Sequence, residues 1–204
     1  MTEGEGDNEG DNEGDNEGDN EGDDRGRLGL GRCAADAMAE SRPQMTTEIT
    51  QKVTTPTDLD PLRQITSNLI NKPCWNARLG YGDELTLDIG ARVPCLPKLG
   101  PGREKGEWVL RARATPWRLE PPEGSPETPG DVPDLLQRIV GTTITDFETS
   151  YSNLALEVTF SNGYTLILMP ETDEGDDDPL AYWELFTPDN KLLEVGPGPV
   201  WSYG

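Results

Sequence analysis

Glycine and proline punctuate this chain from end to end, with 23 glycines and 18 prolines among 204 residues. Each Gly weakens the interior of a helix or strand by about 0.5–1 kcal/mol relative to Ala. Each Pro fixes φ and removes a backbone donor, so elements end where these residues cluster. A chain punctuated in this way makes turns and short elements, and a β-rich fold is expected. Hydrophobic residues supply only 33% of it, below the norm for globular proteins, and the deficit is concentrated at one end.

Residues Glu5 to Asp24 read EGDN four times and then EGDD, without one hydrophobic side chain. A low-complexity segment that can bury nothing cannot offset its ordering entropy, so this tail is expected to be disordered. Of the 39 acidic residues, 12 fall in the first 24 positions with no Lys or Arg among them, which is more than half of the net charge of -22. An EF-hand loop would need Gly at its sixth position and Glu at its twelfth. Counted from Asp7 those positions hold Asn12 and Gly18, and counted from Glu9 they hold Gly14 and Asn20, so the calcium reading fails. Arg25 to Met45, with four arginines among Gly, Ala and Ser, reads as a linker. Tail and linker together are assigned to residues 1–57.

The chain has no histidine. That removes Ser-His-Asp and Cys-His nucleophiles, HExxH sites and any zinc site built on imidazole. Cys33, Cys74 and Cys95 are an odd set without a CxxC, which points to reduced thiols rather than a disulfide framework. No window approaches 18 consecutive apolar residues, and the acidic N-terminus is the opposite of a secretory signal. The expectation is a cytoplasmic chain with no membrane span, no cofactor and no metal.

Beyond Asp58 a pattern occurs twice. Asp60-Pro61 opens a short helix with Leu62, Ile65, Leu69 and Ile70 on one face, and Asp131 or Pro133 opens another with Leu135, Leu136, Ile139 and Val140. Gly141 stands where the second helix should end. Two strand-like stretches follow each helix, Cys74 to Tyr81 with Glu84 to Ile89, and Thr143 to Tyr151 with Leu154 to Phe160. Aromatic-led strands close each copy, Trp108-Val109-Leu110 and Trp117-Arg118-Leu119-Glu120 in the first, Trp183-Glu184-Leu185 and Leu192-Leu193-Glu194 in the second. Asn162-Gly163 between alternating segments signals a two-residue type I′ hairpin turn. The fold class expected is therefore α+β and β-dominated, with two pseudo-repeated helix-plus-antiparallel-strand units at 58–120 and 131–204 joined by a Pro-, Glu- and Gly-rich linker at 121–130.

The blocks Cys74-Trp75-Asn76-Ala77-Arg78-Leu79-Gly80, Gly106-Glu107-Trp108, Leu156 to Gly163, Trp183 to Asp189 and the closing Gly196-Pro197-Gly198 with Trp201-Ser202-Tyr203 resemble a widespread family of uncharacterised bacterial hypothetical proteins. The resemblance spans residues 69–204. Some small domains with a similar closing block sit among bacterial immunity-type proteins, which implies protein binding and transfers no catalytic residue.

Charge divides the two units. Residues 61–120 hold 10 Lys or Arg against 6 Asp or Glu, plus 4, whereas residues 131–204 hold 2 against 14, minus 12. Six carboxylates crowd one stretch of eight residues: Glu171, Asp173, Glu174, Asp176, Asp177 and Asp178. These six are the partner-binding residues that the sequence proposes, with a basic protein as the partner. Arg111, Arg113 and Arg118 near Trp117 could meet nucleic acid, but the overall charge opposes it, and no nucleic-acid partner is expected. The sequence thus favours a non-catalytic binding or interaction module, possible immunity type included. The alternative is a small hydrolase-like or metal-assisted enzyme that uses carboxylates. No catalytic residue is assigned, and the oligomeric state is left open.

Overall fold

Alternation of apolar and polar side chains, rather than helical periodicity, governs the body of the chain. The computed structural model describes residues 48–80, 84–95, 102–113, 115–125, 131–170 and 180–204. They form eleven strands: β1 (Ile49–Lys52), β2 (Pro73–Leu79), β3 (Leu85–Pro94), β4 (Glu104–Ala112), β5 (Trp117–Glu120), β6 (Thr142–Thr149), β7 (Leu156–Phe160), β8 (Thr165–Leu168), β9 (Trp183–Phe186), β10 (Leu192–Val195) and β11 (Val200–Tyr203). All belong to one sheet of order β1-β11-β10-β9-β4-β3-β2-β6-β7-β8-β5. Every neighbouring pair is antiparallel.

Two short helices accompany the sheet. The first, Asp60–Thr66, runs on from a 3-10 turn at Pro56–Leu59 and into another at Ser67–Leu69. Its entrance is fixed before Asp60: Asp58 Oδ2 accepts the N–H groups of Thr54 and Thr55, each at 2.8 Å, and the Thr54 hydroxyl at 3.0 Å. Those three donors hold the Asp58 carboxyl down at about 2, since they favour the ionised form. The second helix, Val132–Gln137, starts at Asp131 as expected, with Pro133 in its first turn. Leu59, Leu62 and Leu69 from the first segment and Leu136 and Ile139 from the second are all buried in the core that the strands line.

The sheet is strongly curled. Strands β6 and β9 are four steps apart in the strand order, which at about 4.8 Å per step would separate them by about 19 Å in a flat sheet. Yet the rings of Phe147 on β6 and Trp183 on β9 meet edge to face with centroids 5.9 Å apart. The concave face is mostly apolar. Leu87, Leu110, Trp183, Leu193 and Trp201 on one side and Phe147, Val158, Phe160, Leu166 and Leu168 on the other belong to a single hydrophobic cluster. Trp183 Nε1 lies 3.4 Å from the Leu154 carbonyl, and Trp201 Nε1 donates to the Asp58 carbonyl at 3.1 Å, so both buried indoles reach across to other elements.

The structure corrects several sequence expectations. Residues 49–57, placed in the tail, belong to the fold: β1 pairs with β11, and Val53 is buried with its N–H donating to the Pro199 carbonyl at 2.8 Å. The hairpin at Asn162-Gly163 has positive φ at Gly163 alone. Gly163 N donates to Phe160 O and Phe160 N to Tyr164 O, the pattern of a three-residue loop with Gly at its left-handed end rather than a type I′ turn. Strands from either side of the linker at 121–130 also pair with each other, β5 lying beside β8 and β9 beside β4.

One glycine is required by close approach. A bulge in β3 between Ile89 and Arg92 brings the two strands so near that a Cβ on Gly106 would stand 2.4 Å from Ile89 N. Any larger residue there would push β3 from β4.

Because the Trp183 side chain is fully buried and bridges both sides of the curl, Trp183→Ala should destabilise the protein by about 3–5 kcal/mol. Urea unfolding monitored by circular dichroism checks this, and a loss below about 1 kcal/mol would mean that the cavity sits outside the shared core.

Candidate functional site

The convex face is where the two sides of the sheet part company. On β2, β3, β4 and β9 it carries charges that are matched and largely buried. Asp88, 1% exposed, accepts from Asn76 Nδ2 at 2.8 Å, from the Gly106 N–H at 2.9 Å and from the Arg78 guanidinium. Cross-strand register places Arg78 opposite Thr86, Thr86 opposite Arg111, Arg111 opposite Glu184 and Glu184 opposite Glu194. Arg111 Nε lies 2.6 Å from Glu84 Oε1, while Glu184 Oε2 lies 3.6 Å from Arg113 Nη2 and 4.0 Å from Arg111 Nη1. Burial pushes the Glu184 carboxyl above its ordinary range, and the two guanidinium groups oppose that shift.

Arg111 and Arg113, which the sequence offered as possible nucleic-acid contacts, are therefore engaged with carboxylates of the protein itself. Arg118 is likewise bonded, through Nε to Glu120 at 2.7 Å. Two of these pairs, Arg111–Glu184 and Arg113–Glu184, draw their carboxylate from β9 in the acidic half. Sequence reasoning missed this because the register that sets Arg111 against Glu184 joins residues 73 positions apart.

On β6, β7, β8 and β5 the convex face is solvated. One cross-strand row runs Glu148, Glu157, Ile167, Arg118, and the next runs Asp146, Thr159, Thr165, Glu120. The inward residues of the same strands, Phe147, Val158, Leu166 and Leu168, are buried, so alternation sends the carboxylates of Asp146, Glu148, Glu157 and Glu120 outward, where they are exposed. Glu148 and Glu157 stand directly opposite each other. Like charges in that relation destabilise a strand pair. Arg63 of the first helix reaches Glu148 at 3.4 Å, but both side chains are open to solvent and such a pair contributes little.

The six carboxylates singled out from the sequence, Glu171, Asp173, Glu174, Asp176, Asp177 and Asp178, lie outside the described residues. The chain leaves toward them from the end of β8, where Met169 N donates to the Pro116 carbonyl at 2.9 Å beside β5. That departure point adjoins the exposed acidic rows. Asp146, Glu148 and Glu157 were not singled out beforehand, although the alternation around Val158 and Phe160 contained the signal that Glu157 faces water.

Cysteine chemistry has little footing here. Cys74 is a buried free thiol whose pKa burial raises to about 12, so it stays protonated at neutral pH. Among the described residues no group of three or more His, Cys, Asp and Glu is arranged to hold a metal ion. No helix among them is long and apolar enough to cross a membrane. In comparisons with protein families, curated proteins and solved structures, none matched this chain.

If the Glu148–Glu157 juxtaposition is a real electrostatic cost, Glu157→Lys should stabilise the protein by about 0.2–1 kcal/mol. Thermal unfolding at low ionic strength measures it, and a lower melting temperature would show that the opposed carboxylates are not repelling.

Proposed function

We propose that this chain is a non-catalytic interaction module, of the kind found among bacterial immunity-type proteins, which docks a basic protein partner on the acidic surface of its C-terminal half. The surface comprises Asp146, Glu148 and Glu157, and the sequence adds Glu171, Asp173, Glu174, Asp176, Asp177 and Asp178, outside the described residues, as further partner-binding candidates. The observation that carries the reading is the unequal disposal of charge on one convex face. Where the face is basic in sequence, Arg78, Arg111 and Arg113 are matched by carboxylates, and Arg111 is withdrawn from solvent. Where it is acidic, two carboxylates are set directly against each other in the open. Retaining such a repulsion costs stability, and surfaces that bind commonly carry that cost. An acidic, solvated patch also speeds encounter with a basic partner.

The two-unit reading belongs to the same proposal. In its support, each half runs helix, then three strands that neighbour in order, β2-β3-β4 and β6-β7-β8, and then a strand that crosses to the other half's third strand. On that alignment the copy of β9 is β5, not β4. Trp117-Arg118-Leu119-Glu120 then answers Trp183-Glu184-Leu185-Phe186 residue for residue, with Trp and Leu facing the core in both.

A fluorescent Lys- and Arg-rich peptide serves as probe for the acidic surface. Asp146→Asn, Glu148→Gln and Glu157→Gln combined should weaken its binding several-fold at low salt while leaving the circular dichroism spectrum unchanged. Equal affinity of parent and triple variant would remove this surface from the proposal.

A further inference from the structure

We propose that the two halves of this chain are exchangeable between copies, so that residues 48–120 of one molecule can be completed by residues 131–204 of a second. The partner that each half fits is the other half, and the two are covalently joined only through residues 121–130. Four strand pairings unite them: β1 with β11, β4 with β9, β2 with β6, and β5 with β8. Within the first half alone, β1 and β5 have no strand partner among the described residues, and only β2, β3 and β4 pair with one another. Within the second half, β6-β7-β8 and β9-β10-β11 are two ladders that do not pair with each other among the described residues.

Neither half can therefore close its sheet or cover the apolar face it presents, but each supplies what the other lacks. Charge adds specificity to the fit. Glu184 of the second half faces Arg111 and Arg113 of the first. The net charges of plus 4 and minus 12 in the two stretches favour cross-half over like-half association. The connection has four prolines in ten residues, and its described part, Pro121 to Ser125, makes one turn in which Ser125 N donates to the Pro122 carbonyl at 3.0 Å. A connection too short to return within one molecule drives identical elements to exchange between two.

The test shortens that connection in the full-length chain by deleting Gly124–Pro129. Light scattering should give twice the monomer mass, with the far-ultraviolet spectrum of the parent retained. In parallel, a protease site replacing residues 126–130 of the full-length chain is cut after folding. The fragments should co-elute, and after denaturation native Trp fluorescence should return only when both are present. A shortened variant that folds as a monomer would overturn the proposal, as would nicked fragments that separate or a fragment that regains its native spectrum alone. Should the shortened variant fail to fold, the nicked protein decides.

Discussion

One apolar surface, bent until its two ends face each other, holds this protein together. Phe147 and Trp183 mark the place where the bend closes, since strands four steps apart touch there through their rings. The helices fill the concavity with leucine and isoleucine side chains rather than forming a layer of their own. Their brevity follows from that role: a seven-residue helix has too few hydrogen bonds to persist alone, and the packing of its apolar face supplies the stability.

The convex face follows from the same bend. Every strand that turns one side chain inward turns the next outward, so the register that builds the core also dictates which charges meet. At the centre that register sets Arg111 against Glu184 and Asp88 within reach of Arg78 and Asn76, and the charges are withdrawn from water together. Leaving any one of them without its partner would be costly in so dry a place. Toward β6 and β7 the same rule sets Glu148 against Glu157 in the open, where the only described counter-charge is a solvent-exposed Arg63 at 3.4 Å from Glu148. Internal cohesion comes from the first arrangement, and the proposed association with a basic partner rests on the second.

Much of this organisation was legible in the sequence wherever a signal is local. Pro and Gly marked short elements, the alternation of Leu154, Leu156, Val158 and Phe160 marked inward positions on and before β7, and Asp131-Val132-Pro133 marked a helix start. The β-dominated antiparallel fold follows from such signals. What stayed hidden depends on partners distant in the chain. The strand β1 has only alternate, half-polar side chains and becomes a strand through β11, some 150 residues away. Arg111 looked like a surface cation because nothing nearby in sequence says that Glu84 and Glu184 will surround it. Trp108 and Trp183, both buried, lie on the neighbouring strands β4 and β9, a pairing that nothing local in the sequence announces. Even the turn at Gly163 was decided by the bonds of Phe160 with Gly163 and Tyr164, not by the Asn-Gly pair alone.

Both halves depend on one core and unfold together. Native-state hydrogen exchange in increasing urea tests this most directly, by comparing the amides of Leu87 and Leu110 on β3 and β4 with those of Val158 and Leu166 on β7 and β8. A shared core predicts that all four converge on the same opening free energy and the same urea dependence. If the β6-β7-β8 amides stay protected in urea concentrations at which those of β3 and β4 exchange freely, the halves have separate cores and the account is wrong.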